Sequence, residues 1–286
     1  MMNRNEIIEE LRRITSKSAE EVKYYIDQIL IDGRFFIPFP GRNKELYRAV
    51  NYSNKFIKVS ELTSAPRKKI KDWGRLNAPC EAIFYCSTNK LISIIEIVPD
   101  GHISVGDIFH VLICEIKDYM TTEGFIGFGF PMQSVFVAKE KRKTWKEYFE
   151  KLKSIASANK VEDAIKVNQF CSVLMRDGIE GVESLGKDRY KLTRAIARKF
   201  LDAASVKAIV YPTAKLEHAG VVNYAFDGGD EYKYLNIIRA EKYNVFKVPE
   251  LSRVLNHHSL LDEESKCLRL LDVADVSGDD LIWTNS

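Results

Sequence analysis

Glu96 stands among Ile94, Ile95 and Ile97, an apolar frame in which a carboxylate is rare unless paired or functional. Upstream, Tyr85 closes on the apolar run Ala82-Ile83-Phe84-Tyr85-Cys86, and a turn-rich stretch, Gly74-Arg75-Leu76-Asn77-Ala78-Pro79-Cys80, precedes it. Arg48 interrupts the run Glu45-Leu46-Tyr47-Arg48-Ala49-Val50, and far downstream Thr213 and Asn223 bracket a second glycine-containing stretch. Each residue also has a plain structural reading. A tyrosine in an apolar run is usually a core residue with a satisfied hydroxyl. Arg48 fits a salt bridge as well as a site, Arg75 fits an exposed loop, and Asn223 near Gly220 fits turn chemistry.

The elements that must position these groups follow from hydrophobic periodicity and punctuation. Ile7, Ile8, Leu11 and Ile14, then Val22, Tyr25, Ile26, Ile29 and Leu30, recur at helical spacing over residues 3–33, and Ser18 with Glu21 has the form of a capping box. Pro38, Pro40 and Gly41 break regular structure. Strands are predicted at Glu45–Val50, Ala82–Cys86, His110–Ile116, Val206–Tyr211 (stopped by Pro212) and Asn223–Phe226. Helices are predicted at Asn89–Ile97, through most of 144–204, and strongly at Arg189–Ala204. Residues beyond about 250 are charged and read as peripheral. The order is mixed rather than strictly alternating, which favours α+β over a doubly wound sheet.

Two blocks of this chain resemble the RES toxin family. That family has a Gly-Arg-Phe-Asn-Pro-Pro-Gly loop before a Leu-Tyr strand and a later Ala-x-x-x-Glu, matched here by Gly74–Cys80, Tyr85 and Glu96, with Arg48 matching the family's upstream arginine. Its Tyr-Pro-Ser-Ala strand end and Gly-Gly-x-Asn-Leu-Ala-Leu-Phe match Tyr211-Pro212-Thr213-Ala214 and Gly220-Val221-Val222-Asn223-Tyr224-Ala225-Phe226. The likeness spans about residues 36–250. Thr213 stands for the family serine, Leu76 for the phenylalanine, Val221 for the second glycine, and Ala78-Pro79-Cys80 for Pro-Pro-Gly.

The resemblance implies an ADP-ribosyltransferase-like (RES) α+β fold of central mixed or antiparallel sheets with flanking helices. It divides the chain into an N-terminal helical extension (1–35), the RES domain (36–250) and a C-terminal tail (251–286) packing on it. It implies an NAD⁺-degrading enzyme that cleaves the nicotinamide–ribose bond as a toxin or defence effector, with water or phosphate as acceptor. A protein ADP-ribosyltransferase is the alternative, and a non-enzymatic binding module a third reading. The cleavage passes through an oxocarbenium-like transition state, as in glycoside hydrolysis. Arg48 would then hold the pyrophosphate, Tyr85 would stack on nicotinamide or ribose, and Glu96 would bind a ribose hydroxyl and stabilise the cationic sugar. Arg75 would be a second phosphate clamp, and Asn77, Thr213 and Asn223 would contact the substrate. NAD⁺ is consumed as substrate, so no resident cofactor and no metal are expected; a cognate antitoxin is the implied partner, and a homo-oligomer stays open.

Composition narrows the alternatives. In 286 residues, 43 basic and 40 acidic side chains leave a net charge of +3, too weak for a nucleic-acid footprint. The short basic runs at 67–71 and 139–143 fit solvated segments. The cysteines Cys80, Cys86, Cys114, Cys171 and Cys267 form no CxxC pair, which speaks against a zinc site or disulfide framework and for a reducing, cytoplasmic setting. Met1–Glu6 runs into charged sequence without the apolar core of a leader, and no apolar stretch approaches a membrane span. The adjacent His257 and His258 diverge on a helix and suit a surface pair. Gly124–Phe130 lacks GxxxxGK[ST], and no GxGxxG follows a strand, so neither a P-loop nor a Rossmann site is expected; a loop or twisted strand covering the pocket fits better.

Overall fold

The computed structural model describes residues 4–29, 37–38, 45–51, 55–98, 102–117, 124–127, 150, 170, 173–174, 183–203, 205–213, 215–216, 221–254 and 256–284. The architecture is mixed α+β. Ten strands among the described residues form one sheet: β1 (Ile37–Pro38), β2 (Glu45–Asn51), β3 (Ile83–Ser87), β4 (Ile108–Ile116), β5 (Phe125–Gly127), β6 (Ala208–Pro212), β7 (Val222–Asp227), β8 (Leu235–Val245), β9 (Leu268–Ser277) and β10 (Asp280–Trp283). Their spatial order is β1-β5-β6-β7-β3-β2-β4-β8-β9-β10, antiparallel throughout except for the parallel pair β5–β6. The helices are α1 (Arg4–Thr15), α2 (Ala19–Ile29), α3 (Lys90–Ile97), α4 (Arg189–Leu201), α5 (Glu231–Tyr234) and α6 (His257–Cys267).

Period-two alternation along the strands sorts side chains onto two faces. On one face Ile83, Ile209, Tyr211 and Ala225 lie beneath α4, joined by Ile14 of α1 and Val22 of α2. On the same face, Ala49, Phe109, Val111, Tyr243 and Val245 are covered by Leu91, Ile92, Ile94 and Ile95 of α3 and by Leu260 of α6. The Tyr47↔Ser87 pairing carries this face across from β2 to β3. The other face buries Leu46, Phe84, Cys86, Leu112, Cys114, Val210, Tyr224 and Phe226 against Val59, Leu62, Leu281 and Trp283.

The expected strands and the helices at 90–97 and 189–201 are present, and Ser18 and Glu21 exchange backbone-to-side-chain hydrogen bonds of 2.9 and 3.3 Å as a capping box does. One difference stands out. The charged segment beyond 250 is not peripheral, because β9 and β10 extend the sheet and Ala274, Leu281 and Trp283 enter its core. Phe125–Gly127 is a strand of the sheet, in keeping with the strand reading of this stretch, with Phe125 buried on the face away from α4; 128–130 lie outside the described residues. Most of the helical expectation at 144–188 likewise lies outside the described residues. His257 and His258 are exposed in the first turn of α6. Among the described residues no helix is long and apolar enough to cross a membrane.

Candidate functional site

The sheet face between α3 and α4 collects most of the chemistry-bearing residues. Antiparallel register sets Tyr211 of β6 beside Asn223 of β7, and Asn223 beside Ser87 of β3, so Tyr211, Asn223 and Tyr85 share this face. Thr213 lies just past the end of β6, with the same parity as Tyr211. The helix α3 starts at Asn89, whose extended backbone and side-chain bond from the Ile92 N–H form an N-cap. Its two turns then bury Leu91, Ile92, Ile94 and Ile95 and bring Glu96 over the strand ends.

Glu96 is held by residues more than a hundred positions away. Its Oε1 accepts hydrogen bonds from Thr213 Oγ1 (2.7 Å) and from Asn223 Nδ2 (3.0 Å). Its Oε2 lies 3.8 Å from Arg75 Nη2. Thr213 and Asn223 are 1% and 3% exposed, so they fix the carboxylate from a rigid floor. The Glu96 side chain itself stays partly open to solvent. The Asn223 carboxamide oxygen is buried and has no hydrogen-bond partner among the described residues. A buried acceptor left unbonded costs free energy, so one beside a carboxylate is a natural seat for a ligand donor.

The loop 74–80 is pinned from below and from the side. Tyr85 Oη accepts from the Leu76 N–H (2.9 Å) and donates to Asn77 Oδ1 (2.8 Å), and its partly buried ring packs against the core beneath α4. Burial pushes the Tyr85 phenol well above its ordinary value, so the hydroxyl stays protonated and keeps donating. Asn77 is thereby a scaffold for the loop. A Cβ on Gly74 would fall 2.2 Å from Asn77 Oδ1, so a side chain here would push the Asn77 carboxamide off the Tyr85 hydroxyl. Thr193 of α4 donates a short hydrogen bond to the Arg75 carbonyl, and the Arg75 guanidinium lies 5.9 Å from the Tyr211 ring centroid. Tyr211, buried, also has its phenol pushed up by desolvation.

The last loop residue, Cys80, has φ +63°, the left-handed region that disfavours side chains with a Cβ, and it is exposed. Exchange for glycine should relieve that strain at a smaller entropic cost. Cys80→Gly is expected to stabilise the protein by about 0.5–1 kcal/mol, read as a higher denaturant midpoint.

Glu81 ties the loop to α4. Its Oε2 accepts from the Ala78 N–H and from Arg194 Nε (2.9 Å each), and Oε1 pairs with the other arm of the guanidinium. Burial works against the anion, but Arg194 and the Ala78 amide outweigh it and hold the carboxyl below the ordinary glutamate value. A depressed carboxyl contributes stability that is present above its unfolded value, near 4.3, and is lost as pH falls through the folded one. Glu81→Gln should therefore lower the unfolding free energy at pH 7, with the gap to the unaltered chain narrowing at about pH 3.5. Denaturant titrations at both pH values check this.

Arg48 does not join the others. Strand alternation points it to the opposite sheet face, where its Cζ lies 5.0 Å from the Phe84 ring centroid. Its Nε, Nη1 and Nη2 donate to the carbonyls of Leu62 (2.9 Å), Tyr85 (3.0 Å) and Thr63 (3.0 Å). Burial draws its pKa down from the arginine norm. The expectation that Arg48 clamps a pyrophosphate in the site is corrected accordingly. Its guanidinium lies beneath the sheet and braces the 62–63 turn against β3, and Arg75 is the guanidinium beside Glu96. Thr193, Glu81 and Arg194 carry no signal in the sequence and read there as ordinary residues, and Tyr211 stands there only as a motif member with no role attached.

No family model matches this chain, and no curated protein matches it.

Proposed function

We propose that this protein is an NAD⁺-cleaving enzyme of RES type, with an ADP-ribosyltransferase-like fold, acting as a glycohydrolase or phosphorylase. The observation that carries the reading is the Glu96 carboxylate, fixed by Thr213 and Asn223 and flanked by Arg75. These residues come from both blocks of family resemblance, and the fold joins the blocks at a single carboxylate. The left-handed Cys80 adds support, since it occupies the position where the family loop has glycine.

In the proposed reaction the bond between the ribose anomeric carbon and the pyridine nitrogen breaks. Its electron pair returns to the ring and releases neutral nicotinamide, so little acid catalysis is needed. Positive charge develops on the sugar, and Glu96, held without reorganisation, offsets it. The free lone pairs of Glu96 and the carboxamide oxygen of Asn223 accept from sugar hydroxyls or the nicotinamide amide. Arg75 places a cation beside the substrate phosphates, and Tyr85, on the same sheet face as Asn223, is the aromatic assigned to stack on nicotinamide or ribose. The acceptor oxygen, from water or phosphate, bonds to the anomeric carbon and gives up its proton to solvent. Toxin or defence action in the cytoplasm and restraint by a cognate antitoxin belong to the same proposal.

The test is nicotinamide release from NAD⁺ by the purified chain, with and without phosphate. Release with ADP-ribose as product establishes the hydrolase; phosphate-dependent release of a phosphorylated ADP-ribose establishes the phosphorylase. Absence of release in both, with no labelled ADP-ribose transferred to lysate protein, rejects the reading.

A further inference from the structure

Away from the site, at the opposite end of α3, a compact cluster of charged and polar groups lies beneath α6. Glu264 of α6 turns its carboxylate back onto the first turn of α3. Its Oε2 accepts from Asn89 Nδ2 (3.1 Å) and from the Leu91 N–H (3.4 Å), while Oε1 lies 3.8 Å from Lys90 Nζ. Lys90 Nζ also pairs with Glu241 Oε2 (3.0 Å) and donates to the Tyr243 hydroxyl, over whose ring it sits at 4.6 Å. Arg239 Nε closes the far side of Glu241 at 2.8 Å. The side chains of Glu264, Lys90 and Glu241 are 18%, 16% and 7% exposed, so solvent screens these contacts little.

A helix of eight residues is marginal by itself, and its first four N–H groups have no partner inside it. Asn89 satisfies the Ile92 N–H, and Glu264 satisfies Leu91 while steering the Asn89 carboxamide that makes the other cap bond. The negative carboxylate also meets the positive end of the helix dipole. Glu96 stands near the other end of these two turns. Whatever fixes the start of α3 therefore fixes the point from which Glu96 reaches Thr213 and Asn223.

We infer that Glu264 is a positioning residue for Glu96. Through the cap on α3 it makes the segment beyond residue 250 a working part of the site rather than an appendage. This goes beyond the proposed activity, and only its kinetic arm rests on that reading. Hydrogen exchange and the side-chain amide resonance of Asn223, which is bonded to Glu96, report the effect without any turnover. In Glu264→Ala the Leu91 and Ile92 amides are expected to exchange about tenfold faster, the equivalent of losing one helix cap. The Asn223 carboxamide signal shifts with them. Glu264→Gln, whose amide oxygen can accept both hydrogen bonds, is expected to restore both. With NAD⁺ as substrate, kcat falls about tenfold in Glu264→Ala while KM stays within about twofold, and the Gln variant recovers kcat.

If Glu264→Ala fails to fold, Glu264→Asp, which keeps the charge and shortens the reach, takes its place. A folded variant with unmoved Asn223 signals and unchanged Leu91 exchange overturns the inference. So does a variant with both changes and an unaltered kcat. If the unaltered chain releases no nicotinamide, the chemical reading fails, and the resonance and exchange arms still decide the role of Glu264.

Discussion

Glu96→Gln is expected to lower nicotinamide release by about a thousandfold while NAD⁺ binding changes by no more than about tenfold. The two side chains are nearly isosteric, so the variant isolates charge from shape. A glutamine oxygen can still accept from Thr213 Oγ1 and Asn223 Nδ2, which keeps the local packing intact. What disappears is the anion proposed to meet a cationic sugar, together with its attraction to Arg75 at 3.8 Å. Electrostatic stabilisation of a developing charge acts on kcat and leaves ground-state affinity nearly alone. Single-turnover rates and calorimetric binding of NAD⁺ to the variant give both quantities. Glu96→Gln with full activity would sink the assignment of this carboxylate.

Arg48→Ala should behave in the opposite manner, as a stability defect of about 3 kcal/mol. Removing the guanidinium takes a buried donor from three carbonyls, those of Leu62, Thr63 and Tyr85, and strips the cation from the Phe84 face. Its charge also offsets Glu231, which is almost fully buried and accepts from the backbone amides of Ser64 and Gly229. Lysine cannot replace it, because one ammonium group cannot span three divergent carbonyls. Chemical denaturation of Arg48→Ala and Arg48→Lys should give lower midpoints for both. KM for NAD⁺ in whatever fraction remains folded should be unchanged. A rise in KM with normal stability would return Arg48 to the substrate.

The contrast between these two residues marks what can be read in a one-dimensional string. Glu96 was legible because a carboxylate among isoleucines on a short helical run is anomalous wherever the chain goes. Tyr85, Asn77, Thr213 and Asn223 were legible as members of motifs, and β3, β6 and β7 as apolar runs closed by turn residues. Arg48 carried the same motif signal, yet its side of the sheet depends on register. Strand parity reverses with a one-residue slip, and the Tyr47↔Ser87 pairing that settles it is made only in the folded sheet. The strands β8 and β9 escaped notice for another reason. Arg239, Glu241 and Lys242 of β8 and Arg269, Asp272 and Asp275 of β9 look like solvent-facing sequence, although Glu241 and Asp272 are buried as ion-pair partners. Charge satisfied by charge leaves no apolar periodicity to read. Tyr211 was visible as a motif member, but its place beside Arg75 was not, since a tyrosine at the end of a hydrophobic strand looks like any core aromatic.

The placement of Thr213, Asn223 and Glu264 also imposes a timetable. Protein chains emerge from the ribosome amino end first, at about 5–20 residues per second, and fold as their parts become available. Glu96 is made early, but the two groups that orient it, and the carboxylate that caps its helix, belong to the last third of the chain. A nascent chain therefore carries Glu96 before it has the residues that orient it. The site can assemble only when β6 and β7 have paired against β3 and α6 has docked. Under the proposed chemistry, an unfinished copy is expected to release no nicotinamide before these pairings form.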